Sequence, residues 1–182
     1  MALLPIVIVP HAILRQTAKP IGSVTKEIER LLDNMLETMY DAPGIGLAAP
    51  QIGQSIRAAV VDLAERAAPH HPQEPLKMIN PEIIGKSDEQ SVYDEGCLSI
   101  PGVSGEVTRP KSVRVRFTDA TGKIVEIEAD GLLATCIQHE IDHLNGVLFI
   151  DYLSKLKRDV IMRKMKKLNA ERESDQTRNH NL

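Results

Sequence analysis

The sequence contains no tryptophan, and its 182 residues include only two phenylalanines and three tyrosines. Few side chains are therefore available to stack on nucleobases, which argues against a protein that binds single-stranded nucleic acid. The formal net charge is -3, so the chain as a whole has no excess of cations for a polyanion. Sequence-specific nucleic-acid binding is not expected.

Cysteine is also scarce, since only Cys97 and Cys136 are present. A secreted scaffold of this size held together by disulfides would carry more of them. No run approaches the roughly 18 apolar residues needed to span a bilayer. The apolar start, MALLPIVIVP, lacks a basic region and is broken by Pro5 and Pro10, unlike a signal peptide. We expect a cytoplasmic protein without a membrane partner.

The length favours one domain with one sizeable core. We expect a single catalytic domain over residues 1–172, followed by a polar, flexible tail at 173–182. Apolar residues recur at helical spacing over 25–40, where Thr25 is a suitable N-cap. A second helical pattern begins at Gly131, and a third helix is predicted at roughly 154–172.

Extended segments lie mainly in the middle of the chain. Residues 56–63 and 77–84 are typical of buried strands, the second interrupted at Pro81. Residues 112–118 and 123–129 alternate apolar and polar around a DATG turn, which predicts a β-hairpin. Strands that cluster in this way indicate an α+β fold. The segment 64–76 is predicted to be a loop, in which His70 and His71 are interpreted as solvated side chains.

The helix that begins at Gly131 carries the sequence His139-Glu140-Ile141-Asp142-His143, an H-E-x-x-H pattern. Residues four apart share one helix face, so both imidazoles can reach one metal ion. Glu140 then lies beside the ion, where it can carry protons. The alternative is a pair of surface histidines near the end of a helix.

A catalytic tetrahedral site needs a third protein ligand and one open position. The segment that follows His143 has no further histidine at metzincin spacing, and Glu171 and Glu173 lie in a polar stretch typical of solvated residues. Cys97, in the segment EGCLS, is the better candidate, because a thiolate is a strong ligand. Its alternative is a small buried apolar residue. That alternative suits Cys136 better, and Cys136 could line a pocket.

Three segments together resemble the signature motifs of peptide deformylases, in the order and at the spacing of that family. They are GIGLAAPQ at 44–51, EGCLS at 95–99 and QHEIDH at 138–143. The resemblance extends over roughly residues 3–170. It implies an α+β fold in which antiparallel β-sheets pack around a central H-E-x-x-H helix, with an N-terminal helix and a C-terminal helix.

The resemblance implies hydrolysis of the N-formyl group of N-terminal formylmethionine on new polypeptides. It assigns one divalent metal ion to Cys97, His139 and His143, with water in the fourth position. Fe(II) is the expected native ion, and Zn, Ni or Co could replace it in the purified protein. Glu140 would act as general base and acid. The side-chain amide of Gln51 and the backbone N–H of Leu98 would stabilise the oxyanion.

The same resemblance implies how the peptide binds. The carbonyl of Gly46 would receive the substrate amide, within the turn that begins at Gly44. Backbone groups of Ile45 and Gly96 would pair with the extended peptide as with an added strand. The methionine pocket would be formed by Tyr93, Leu132, Thr135, Cys136 and His139.

Residues 155–168, KLKRDVIMRKMKKL, contain seven lysines or arginines and one aspartate. An apolar stripe is predicted to pack this helix onto the domain, formed by Leu153, Leu156, Val160, Ile161 and Leu168. Four cations are expected to face outward: Lys157, Arg158, Lys164 and Lys167. We expect the basic helix at 154–172 to contact ribosomal RNA phosphates. The alternative is a solvated helix face.

Two other functions remain open at this point. A metallopeptidase with an H-E-x-x-H helix would cut peptide bonds, although Cys97 in EGCLS argues against it. A closed structural zinc site in a binding module would need a fourth protein ligand and would leave Glu140 without a task.

Overall fold

The computed structural model describes residues 2–63 and 75–179, with the backbone alone for 172–179. Its α-helices are α1 (Lys26–Asp41), α2 (Gly131–Leu144) and α3 (Lys155–Asn179). Short 3-10 helices cover Ala12–Arg15, Ala49–Ile52 and Phe149–Tyr152. As predicted, Thr25 caps α1, with its side chain accepting the Ile28 N–H at 3.4 Å.

The strands form two antiparallel sheets. The larger sheet has the order β1-β2-β3-β6-β7, and β4 and β5 pair separately. The strand bounds are β1 (Gly46–Ala48), β2 (Ala58–Val61), β3 (Leu76–Lys86), β4 (Gln90–Cys97), β5 (Ile100–Pro110), β6 (Ser112–Thr118) and β7 (Ile124–Asp130). The hairpin predicted from the DATG turn is confirmed as β6 and β7, which pair from Thr118↔Ile124 to Ser112↔Asp130.

Helix α2 lies between the two sheets and touches strands of both, which confirms the predicted α+β architecture. Its apolar face joins one core cluster with the larger sheet, in which Ile137 and Val115 are fully buried. Helix α1 covers β1 and β2 through a second cluster around Met35 and Leu47. Burial on both sides therefore fixes α2 and the residues that it carries.

The sequence patterns missed the hairpin of β4 and β5 entirely. Glycine, proline and acidic residues lower the β propensity of this hairpin. The two strands are stable only because they pair with each other and pack against the rest of the fold. The turn expected to begin at Gly44 instead holds the short strand β1 and a 3-10 helix. Strand β3 continues past Pro81, with a register shift between Ile79 and Glu82 that accommodates the proline.

The apolar stripe predicted for α3 is partly wrong. Ile161 and Met165 are buried in a third cluster with Val107 and Phe149, but Leu156 is 73% exposed and Val160 is 56% exposed. At about 100° per residue, Leu156 lies roughly 140° around the helix from Ile161, outside the narrow contact with the domain. Helix α3 also continues to Asn179, past the predicted end near 172.

No helix in the described ranges is both long enough and apolar enough to cross a bilayer. His70 and His71, interpreted as solvated loop residues, lie outside the described residues.

Candidate active site

Helix α2 carries both histidines of the H-E-x-x-H pattern into the interior. His139 is 8% exposed and His143 is 1% exposed, so the alternative of two surface histidines is wrong. Their spacing of four residues places both rings on one face, where their centroids are 4.9 Å apart. Burial of two neighbouring imidazoles indicates a site and not a solvated helix end.

Cys97 reaches the same place from β4. Its Sγ lies 3.2 Å from Nε2 of His143. One donor atom each from Cys97, His139 and His143 lies within 4.8 Å of the other two, and among the described residues this trio is the cluster that could hold a metal ion. The structure therefore brings together the three side chains expected to hold the metal.

A second layer of charged residues orients His139. Its Nδ1 lies 2.9 Å from Oε2 of Glu95, which also binds Arg109 through two hydrogen bonds of 2.5 and 3.0 Å. Burial would raise the pKa of Glu95, but the hydrogen bonds from His139 and Arg109 outweigh burial and lower that pKa. An ionised Glu95 only accepts, so Nδ1 carries a hydrogen whether the ring is charged or neutral, and loss of the second ring proton leaves the lone pair on Nε2.

These donors fit a divalent transition metal. One soft sulfur and two imidazole nitrogens suit Zn, Fe(II), Co or Ni. A carboxylate on the far nitrogen of a ligating histidine is the usual support of such a site. The described residues supply three clustered donors, as in catalytic sites that keep an open position, and not the four of a closed structural zinc site.

Glu140 is 3% exposed and lies beside the donor cluster. Among the described residues, nothing donates a hydrogen bond to its Oε2. Burial raises the pKa of Glu140 to about 7, although the charge of His139 opposes this shift. The carboxyl group is thus buried, unpaired at one oxygen and close to neutral titration, as proton-transfer groups often are.

Gly46 permits the close approach of β1 to this carboxyl group. A Cβ atom at Gly46 would overlap Oε1 of Glu140 and lie 2.8 Å from Sγ of Cys136. Any side chain at this position would therefore displace the groups of the site.

Gln51 is held in one orientation next to the donors. Its Oε1 accepts the Ala48 N–H at 2.8 Å, and its Nε2 lies 3.3 Å from the Ser99 hydroxyl and 3.5 Å from Sγ of Cys97. The fixed acceptor side leaves the NH₂ group, a double donor, directed at the cluster.

A cavity of about 670 Å³ opens between the edge strand β1 and the strand β4. Apart from His143, every predicted site residue lines it: Gly44, Ile45, Gly46, Gln51, Tyr93, Gly96, Cys97, Leu98, Leu132, Thr135, Cys136, His139 and Glu140. The sequence patterns gave no role to other parts of its wall, among them Pro43, Asp94 and Ile100.

Two details refine the predicted roles. The carbonyl of Ile45 accepts the Asp62 N–H at 3.0 Å and the Cys136 thiol at 3.5 Å, so both of its lone pairs already have donors. Cys136 lines the cavity, and burial raises the pKa of its thiol well above the usual value. The neutral thiol of Cys136 forms part of the cavity wall, which agrees with the alternative that this cysteine acts as a small apolar residue.

Glu95, Arg109 and Asp142 received no role from sequence patterns, yet they form a chain of contacts that reaches His139. Glu95 stands inside EGCLS, so its closeness to Cys97 was a usable signal. Nothing local distinguishes Arg109 from the other arginines, because its partners Glu95 and Asp142 are 14 and 33 residues away.

A partly buried thiol and two buried imidazoles, beside a buried carboxyl group on an H-E-x-x-H helix, are the set of side chains typical of hydrolytic metal enzymes. Residues 3–159 match the family model described as polypeptide deformylase. The chain belongs to the polypeptide deformylase family and is a hydrolase.

Similar proteins agree with this assignment. A peptide deformylase from Bradyrhizobium diazoefficiens is 61% identical over 168 residues, which cover 92% of this chain and 97% of that protein. A peptide deformylase from Brucella suis is 52% identical, with 96% and 98% covered. The crystal structure of a peptide deformylase from Ehrlichia chaffeensis in complex with actinonin has a TM-score of 0.87, 42% identity, and coverage of 92% and 98%.

Proposed function

We propose that this chain removes the N-formyl group from the N-terminal formylmethionine of newly synthesised polypeptides. The observation that carries this proposal is the juxtaposition of the carboxyl group of Glu140, unpaired at Oε2, with three clustered candidate metal donors beside a cavity. Membership in the polypeptide deformylase family supplies the reaction class.

Cys97, His139 and His143 would hold one divalent metal ion. Such an ion supplies Lewis acidity, which polarises a carbonyl group and lowers the pKa of bound water. Glu95 contributes by holding Nδ1 of His139, so that Nε2 is presented to the donor cluster.

Glu140 would move the protons. Formamide hydrolysis adds water to the formyl carbon, breaks the C–N bond and needs a proton on the departing amine. Glu140 is placed to accept the proton from water and to deliver it to that amine. The NH₂ group of Gln51 and the N–H of Leu98 would donate to the formyl oxygen as it gains negative charge. The orientation of Gln51 by Ala48 supports this role.

The peptide would lie extended between β1 and β4. β1 is the edge of the larger sheet, and its outer side borders the cavity. We propose that the Gly46 carbonyl and backbone groups at Gly44, Ile45 and Gly96 bind the peptide main chain. The methionine side chain would contact Tyr93, Leu132, Thr135, Cys136 and His139, all of which line the cavity.

The test compares formyl-Met-Ala-Ser with acetyl-Met-Ala-Ser and with the unblocked peptide. We expect release of formate from the first peptide, little turnover of the second and no cleavage of the third. Cleavage of peptide bonds in the unblocked peptide would support a metallopeptidase. Absence of any turnover by the metal-loaded protein would favour a structural metal site.

Glu140→Gln tests the proposed proton transfer. The variant should retain its metal but lose at least about 100-fold in kcat. Glu128→Gln is the matched control, since Glu128 is exposed on β7 and lines a different cavity. Near-normal turnover by Glu140→Gln would contradict this role.

We propose Fe(II) as the native ion, with Zn, Ni or Co as substitutes in the purified protein. A ferrous ion beside a thiolate is sensitive to air, and Cys97 would be oxidised with it. Protein prepared without oxygen should contain iron and lose activity in aerated buffer, whereas the nickel form should persist. Equal half-lives of the two forms would argue against iron.

We further propose that α3 brings the enzyme to ribosomes in the cytoplasm, where its substrates emerge. The exposed cations Lys157, Arg163, Lys166 and Lys167 support this proposal. Three of the cations expected to face outward have other contacts. Arg158 lies 4.0 Å from Asp151, Lys164 donates to the Gly102 carbonyl at 2.8 Å, and Lys167 lies 3.9 Å from Glu171 on the same exposed helix face.

A further inference from the structure

A closed ring of polar contacts begins and ends on helix α2. From His139 it passes to Glu95 at 2.9 Å and on to Arg109. From Arg109 Nη1 it returns to Asp142 at 2.8 Å, and Asp142 lies three residues after His139 on the same helix. The ring therefore connects the helix that carries the two histidines with the hairpin that carries Cys97.

Tyr152 contacts two members of this ring of polar contacts from the protein surface. Its hydroxyl donates to Oδ2 of Asp142 at 2.9 Å. Its aromatic side chain covers the guanidinium of Arg109, whose Cζ lies 4.7 Å from the aromatic centroid. Arg109 is 4% exposed, whereas Tyr152 is 49% exposed. The contacts thus lead from the surface to the buried donors.

The geometry of arginine explains why the outer residues matter. The guanidinium is a rigid planar fork, so its Glu95 side and its Asp142 side move together. Buried charge pairs of this kind are costly to break, because each partner is left desolvated. A change in the position of Asp142 would therefore be transmitted to Glu95, and through Glu95 to the ring of His139.

The strand β4 adds a second consequence. Glu95 lies two residues before Cys97 on the same strand, so Arg109 also fixes the thiol relative to α2. The contact of 3.2 Å between Sγ of Cys97 and Nε2 of His143 depends on the distance between strand β4 and helix α2, which the contacts of Arg109 hold fixed.

We propose that Asp142 and Tyr152 are positioning residues for the metal donors, acting through Arg109 and Glu95 on His139 and Cys97. This inference rests on the proposed use of Cys97, His139 and His143 as metal ligands. It assigns a functional role to two residues outside the ligand set and outside the cavity wall.

The test measures the dissociation constant for Co(II) by competition with a chelator, together with the visible absorption spectrum of the cobalt form. Asp142→Asn should raise the dissociation constant about tenfold, at the lower end of the range for supporting residues. Tyr152→Phe retains the ring over Arg109 and removes only the hydroxyl, so about a threefold increase is expected. Both variants should alter the cobalt spectrum.

Tyr40→Phe is the matched control. The Tyr40 hydroxyl also donates to a carboxylate, that of Asp62 at 2.5 Å, and Tyr40 is 43% exposed on α1, away from the ring. This variant should leave the dissociation constant and the spectrum unchanged. If Tyr152→Phe and Asp142→Asn lower only the urea midpoint, as Tyr40→Phe would, the role is merely structural and the inference is overturned.

A double-mutant cycle tests the route. Adding Asp142→Asn to Glu95→Gln should cause little further loss of cobalt affinity, because both changes interrupt one chain of contacts. Fully additive losses would overturn the proposed route. A wild-type protein that fails to bind cobalt would instead contradict the proposed metal site itself, which separates the two failures.

Discussion

The Sγ of Cys97 lies 3.2 Å from Nε2 of His143, although 46 residues separate the two in sequence. Each atom comes from a different layer of the fold, since Cys97 ends strand β4 and His143 lies in the last turn of α2. The donor cluster therefore forms only when the hairpin docks on the helix, and its properties can be tested by changing either partner.

Replacement of Cys97 and of Cys136, one at a time, should show which cysteine binds the metal and which only lines the cavity. Cys97→Ser exchanges a soft thiolate for a weak neutral ligand, so the dissociation constant for Zn or Ni should rise by at least about 100-fold, beyond the range for supporting residues. Cys136→Ser, also a loss of one sulfur, should leave metal affinity within about twofold. Chelator competition measures both variants, and equal affinities would show that the ligand assignment is wrong.

Gly46→Ala should reduce turnover by at least about 100-fold with little loss of metal. The new methyl group would overlap Oε1 of Glu140, and displacements of about 1 Å at a reacting group have effects of this size. The control is Gly22→Ala, since a methyl group at Gly22 meets nothing within 4 Å. If both variants turn over formyl-Met-Ala-Ser at the wild-type rate, β1 does not approach Glu140 as described.

The ion pair of Arg15 and Asp151 predicts a pH dependence of stability. Burial would raise the pKa of Asp151, but hydrogen bonds from Arg15 and from the Leu148 N–H lower it. A carboxyl group with a lowered pKa in the folded state stabilises the fold above the unfolded value of about 3.9, and the contribution disappears as the pH falls through the folded pKa.

Arg15→Met should accordingly lower the free energy of unfolding at pH 6 and lower it less at pH 3. Urea unfolding of both proteins at several pH values measures the difference, and protonation of the metal ligands affects both proteins alike. A difference that stays constant from pH 6 to pH 3 would mean that the pKa of Asp151 is not lowered by Arg15.

Charge reversal on α3 tests the proposed contact with ribosomes. Exchange of Lys157, Arg163, Lys166 and Lys167 for Glu leaves the bound cations Arg158 and Lys164 in place. Co-sedimentation with ribosomes at low salt should weaken by at least about tenfold. The slope of log affinity against log salt should fall by about 3.6, since each of the four phosphate contacts contributes about 0.9. Turnover of a short formyl peptide should not change.

The control variant carries the same charge change elsewhere, at the exposed residues Lys26, Lys86, Arg114 and Lys123. It should sediment with ribosomes nearly as wild type does, apart from the effect of total charge. Equal weakening of both variants would indicate that overall charge matters and that α3 is a solvated helix face.

Local spacing in the sequence determined much of the site. The H-E-x-x-H pattern needs only one helix turn to bring two imidazoles and a carboxyl group together, and the helix was recognisable from its apolar residues. The hairpin of β6 and β7 was predictable for the same reason, because alternation and a turn are both local signals. The motifs at 44–51 and 95–99 indicated the family without any knowledge of interatomic distances.

Tertiary structure alone decided the rest, because the contacts involved join residues far apart in sequence. The hairpin of β4 and β5 has weak local propensity and is held by pairing and burial, so its presence was not visible in the pattern. Leu156 and Val160 look like core residues by type but lie outside the narrow contact of α3. The ring from His139 through Arg109 to Asp142 likewise exists only because α2 and the hairpin pack together, and packing is a property of the whole fold.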